Sequence, residues 1–65
     1  MDVKYFIYDA NGYVGEGYLS ESEANDINNR IDLISGLSDG LLRIYHTNDA
    51  GDQYATDYDI TGNPV

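Results

Sequence analysis

Asp57 and Asp59 are the side chains whose type and spacing most invite chemistry. Two positions apart on an extended chain, they lie on one face ~6.7 Å from each other, a row that like charge disfavours in a strand. Paired carboxylates can act as general acid and base, hard cations take clustered oxygen ligands, and a line of negative charge can imitate a nucleic-acid backbone. Acid–base catalysis needs a concave site, for which a chain of 65 residues has little volume, and no motif places a second catalytic group. Cation binding has only the fragment Asp9-Ala10-Asn11-Gly12, without the closing Glu of a calcium loop. No Ser/His/Asp arrangement, phosphate loop, cysteine or metal-binding histidine spacing occurs. The expectation is a non-enzymatic chain without metal or cofactor. Solubility and protection of an edge strand are the plain alternative for the acids.

Other acids have local reasons. Glu21, Glu23 and Asp26 fall in the first turns of a helix, where negative charge complements the dipole. Asp49 and Asp52 fall in a turn. His46, the single histidine, is in phase with Leu42 and Ile44 and is expected to be structural and partly buried. Asp26 and Arg30, four apart, are spaced to pair, and Arg43 is expected to pair with a carboxylate of a neighbouring strand. The residues left as candidate partner contacts are Asp49, Asp52, Asp57, Asp59, Glu16, Tyr18 and Tyr45.

These residues must be positioned by two hairpins and a helix. Residues 3–8 are rich in β-branched and aromatic side chains and run into Asn11-Gly12, a hairpin signal, so a second strand is expected over 13–19. Gly15 and Gly17 weaken that strand or let something pack close to its backbone. Ser20-Glu21-Ser22-Glu23 is a capping box that starts a helix over about 21–35. Ala24, Ile27, Ile31 and Ile34 form its apolar stripe, Leu33 points away from that stripe, and Gly36 stops the helix. Strands follow at 41–47 and at 53–60, where Tyr54, Thr56, Tyr58 and Ile60 share one face. A frayed tail closes the chain. The predicted class is α+β: one domain over 1–65 in ββαββ order, a four-stranded antiparallel sheet with one helix on one face.

One helix covers one face of such a sheet, so the other meets water, a second copy or a partner. Seven tyrosines are many for so small a core, and an open face lined by them is amphipathic, although tyrosine also suits strands for its own sake. Twelve acidic residues against three basic ones give a net charge of −9, which repels nucleic acid and anionic lipid. Without cysteine, without an apolar run of membrane-spanning length and without a leader pattern at Met1-Asp2-Val3-Lys4, the expectation is a soluble cytoplasmic protein. A chain this short buries only about 60% of its unfolded surface, so its stability is expected to be marginal.

In size, charge and lack of cysteine, the whole chain resembles the small acidic proteins that phages use against bacterial defences, namely anti-CRISPR proteins and DNA-mimic anti-restriction proteins. The resemblance rests on no motif and transfers no residue role. It implies a stoichiometric inhibitor, acting in the host cytoplasm, that blocks the basic nucleic-acid site of a nuclease or effector complex. The expectation from a different class is a structural interaction module that homodimerises through the open tyrosine face or an edge strand.

Overall fold

Asp9 opens the first turn by accepting a hydrogen bond from the Asn11 amide at 2.8 Å, and Gly12 leaves it with a φ of 114°. In the computed structural model, which describes residues 2–65, this turn joins β1 (Asp2–Asp9) to β2 (Gly12–Ser20). Two short helices follow, α1 (Glu21–Ala24) and α2 (Ile27–Ile34), and then β3 (Leu41–Thr47) and β4 (Gln53–Tyr58). The strands form one antiparallel sheet in the order β2-β1-β3-β4. The protein is thus a small α+β fold with an open-faced sheet.

The expected single helix is two. Ser20 and Glu23 make the capping box, with the Glu23 amide donating to Ser20 Oγ at 3.1 Å and the Ser20 amide to Glu23 Oε1 at 3.0 Å. The helix then stops at Asn25, because Asp26 acts as a second N-cap, accepting from the Asn28 amide at 2.9 Å. Both residues are better caps than helix formers. The interruption resets the helical phase. Ala24 and Ile34 are buried with Val3, Leu42, Ile44 and Tyr58, and Leu33, expected to point away, packs against this cluster. Ile27 is instead 40% exposed. Asp26, occupied as a cap, does not pair with Arg30, which donates to the Gly62 carbonyl and to the Ala24 carbonyl, each at 2.9 Å.

The chain after β4 is folded back, where a frayed tail was expected. Asp59 accepts from the Thr61 amide and hydroxyl, so the strand ends at Tyr58 and Asp59 turns the chain. Gly62, at a φ of 80°, sits so close to Ile27 and Ile31 that a Cβ would stand 2.5 Å from Ile27 Cγ1. Pro64 then bridges to Tyr58, and the Val65 amide donates to the Asp57 carbonyl at 2.9 Å. Among the described residues no helix is long and apolar enough to cross a membrane.

Candidate interaction surface

Register assigns every strand side chain to a face. Val3, Tyr5 and Ile7 of β1, Leu42, Ile44 and His46 of β3, and Thr56 and Tyr58 of β4 point to the helices, as alternation requires. Lys4, Phe6 and Tyr8 point the other way, beside Tyr18, Glu16 and Tyr13 of β2 and Tyr45, Arg43 and Leu41 of β3. Asp57 and Ala55 of β4 complete this open face. Its aromatic rings touch edge to face: Phe6 meets Tyr45 at 5.8 Å and Tyr8 meets Tyr13 at 6.3 Å.

Four charges lie among these rings, and they cancel. Lys4 pairs with Glu16 and stands 4.5 Å from the centre of the Tyr18 ring. Its hydrogen bond, with that of the Tyr13 hydroxyl at 2.8 Å, holds the Glu16 carboxyl below its ordinary range. Arg43 grips Asp57 with Nε at 2.7 Å and Nη2 at 3.0 Å, which likewise holds the Asp57 carboxyl down. The expected cross-strand partner of Arg43 is therefore Asp57. The centre of the open face is neutral, and the whole net charge of −9 lies outside it.

Most of that charge lies at the two ends of the sheet; Asp26, which caps α2, and Asp32, within it, lie on the helical layer instead. The molecule measures 35 × 21 × 19 Å. Nine residues of strand span ~30 Å and four strands stand ~15 Å across, so the long dimension runs along the strands. At the end where β1 and β4 begin lie Asp2, Glu21, Glu23, Asp49 and Asp52. At the opposite end lie Asp9, Asp39 and Asp59, the first two drawn together by the Ala10 amide donating to the Ser38 carbonyl at 2.9 Å. The residues singled out from sequence therefore divide. Glu16, Tyr18, Tyr45 and Asp57 share the open face, Asp49 and Asp52 occupy the β3–β4 turn at one end, and Asp59 caps a turn at the other. The row of Asp57 and Asp59 does not form, because Asp59 lies beyond the strand. Its carboxyl is held below the ordinary range by the Thr61 hydroxyl.

A second polar constellation lies on the covered face. His46, 2% exposed, places Nδ1 2.7 Å from Glu21 Oε1 and Nε2 2.9 Å from the Tyr58 hydroxyl. A carboxylate only accepts, so Nδ1 donates to Glu21, while Nε2 and the Tyr58 hydroxyl share the second hydrogen bond. The imidazole stacks on Tyr54 with ring centres 5.4 Å apart, and burial pushes the Tyr58 phenol up from its ordinary value. Sequence placed His46 on this face but gave no sign of Glu21 as its partner, which comes from the start of a helix 25 positions away. No pocket opens beside this chain of hydrogen bonds among the described residues, and no group of three or more His, Cys, Asp or Glu is gathered there to hold a metal ion.

The fold and its surface define a small acidic α+β protein with an exposed, tyrosine-lined sheet face. In comparisons with known proteins the chain matches no family model, and no curated protein or solved structure matches it either.

Proposed function

We propose that this chain is a non-enzymatic protein-binding inhibitor that occupies the basic nucleic-acid-binding surface of a nuclease or effector complex, in the manner of anti-CRISPR or DNA-mimic anti-restriction proteins. The observation that carries the reading is the set of carboxylates at both ends of a body 35 Å long, none of them paired with lysine or arginine among the described residues. A DNA duplex of that length carries about 20 phosphates, so a net charge of −9 is about half its charge over the same span. The open face contributes hydrogen-bonding aromatic area between the acidic ends. Purified CRISPR effector nucleases and restriction endonucleases, each mixed with one equivalent of the chain, test the reading through their DNA binding. Inhibition of one of them is expected, with the chain's affinity falling steeply between about 50 and about 200 mM salt. Inhibition that ignores salt argues against the mimicry.

One observation favours a second reading, a module that homodimerises through the open face. Tyr13 and Tyr18 are 60% and 65% exposed on a surface whose charges cancel, so two copies can meet there without repulsion at the contact. That reading expects a melting temperature that rises with protein concentration. A chain that sediments only as a monomer rules it out.

A further inference from the structure

We infer that the outer edge of β2 is the docking site for one extended strand of a partner protein, and that the residues flanking that strand are lysines and arginines. The inference rests on the basic partner proposed above and names the contact.

The two edges of the sheet differ. Beside β4, Pro64 bridges to Tyr58 and Val65 donates to Asp57, so the returning chain occupies part of that edge and brings a residue that cannot donate. Among the described residues β2 pairs only with β1, and its other row of amides and carbonyls has no strand beside it. Edge strands are ordinarily protected by charge, proline or distortion. β2 has no proline, and its only charge, Glu16, is taken up by Lys4 and Tyr13. A bulge does lie near its start, where Ile7 pairs with Gly15 and Tyr8 with Tyr13, leaving Val14 unmatched. Beyond it Gly15–Ser20 runs regularly for ~20 Å, long enough for a strand of ordinary length.

Side chains along this edge suit an incoming strand. Tyr13, Val14 and Tyr18 are among the large apolar side chains left exposed. At Gly15 nothing among the described residues lies within 4 Å of where a Cβ would stand, so a side chain of an added strand has room there. Specificity then comes from charge. One end of β2 is flanked by Asp9 and Asp39, the other by Asp2 and Glu23. A second copy pairing β2 against β2 sets the acidic end of one molecule beside that of the other and doubles a net charge of −9. A strand with cationic flanks meets opposite charge at both ends while its backbone completes the row of hydrogen bonds.

The test uses a synthetic peptide of about ten residues, alternating Val and Thr with Lys-Arg at each end. It is compared with the same peptide N-methylated on every amide of the Val-Thr run and with one flanked by Glu. Binding to the full chain is followed by amide chemical shifts and hydrogen exchange. The Lys-Arg peptide is expected to shift Gly15–Ser20 most and to slow their exchange about tenfold, and either N-methylation or Glu flanks should weaken binding about tenfold or more. Equal binding of the N-methylated peptide overturns the edge and leaves the basic-partner reading standing. Equal binding of the Glu-flanked peptide overturns the cationic chemistry and that reading with it. Unmoved β2 amides overturn the site, and a dimer whose protected amides are those of β2 makes a second copy the occupant.

Discussion

The two faces of the sheet use the same side-chain chemistry in different solvents. On the covered face a carboxylate, an imidazole and a phenol, Glu21, His46 and Tyr58, form a chain beneath two helices. On the open face Lys4 with Glu16 and Arg43 with Asp57 are ringed by tyrosines. Water changes what each set contributes. A buried donor that loses its partner costs about 1–3 kcal/mol, whereas an ion pair in contact with water is worth about 0–1 kcal/mol. The covered face therefore fixes the fold, and the open face and edges are free to carry recognition.

Neighbours on β3 give the largest test of that contrast. Leu42 is fully buried and Leu41, on the open side, only partly. Leu42→Ala is expected to cost about 2–5 kcal/mol in urea unfolding and Leu41→Ala about 1 kcal/mol. Equal losses would mean that the open face is as closely packed as the covered one, which only a second copy on it can supply.

Next in size comes His46→Phe, which keeps a flat ring but strands the Tyr58 hydroxyl. A loss of about 1–3 kcal/mol is expected, against a clearly smaller one for Arg43→Met, and a double-mutant cycle of His46→Phe with Tyr58→Phe should recover part of it. If the two single losses are equal, burial does not separate the faces.

Acid gives a smaller effect with a definite sign. Asp57 has its folded-state pKa depressed by Arg43, so its contribution is complete above the ordinary aspartate value of 3.8 and is lost as pH falls through the lower folded value. Glu16 follows the same direction. Unfolding midpoints should therefore fall at pH below about 4, and Asp57→Asn should remove no more than about 1 kcal/mol of that loss because the pair is partly solvated. An unchanged acid profile in Asp57→Asn would show that the pair contributes nothing to folding.

Local signals were legible in the sequence, while the ones that depend on tertiary distance were not. Asn11-Gly12 and the Ser20/Glu23 box act where their chemistry said they would. The continuous helix fails because its apolar stripe crosses Asn25 and Asp26, two cap-forming residues whose competition with the helix is visible in their types. The Asp57/Asp59 row failed similarly, since Asp59 two residues before Thr61 is a turn signal that outcompeted the strand. Nothing local pairs Glu21 with His46 or lays Gly62 on Ile27; these follow from how the layers stack. The neutrality of the open face was equally hidden, because it needs the register that sets Lys4 beside Glu16 and Arg43 beside Asp57.

That neutrality yields the smallest effect on stability and the sharpest one on recognition. Asp49 and Asp52 are exposed in the β3–β4 turn, whose hydrogen bonds to Ala50 and Asp52 amides are accepted by Asn48, so neither carboxylate supports the turn. Asp49→Asn with Asp52→Asn should shift stability by within about 0.5 kcal/mol, towards a slight gain as crowded charge is relieved. Glu16→Gln with Asp57→Asn removes the same number of charges but frees Lys4 and Arg43 on the open face. Binding of a short oligolysine separates the two pairs. If the acidic ends attract the partner, the turn pair weakens oligolysine at the β3–β4 end alone, and the face pair weakens it near Lys4 and Arg43. If only net charge matters, both double variants lose the same affinity with the same salt dependence, and the contrast between faces carries no information about where a basic partner sits.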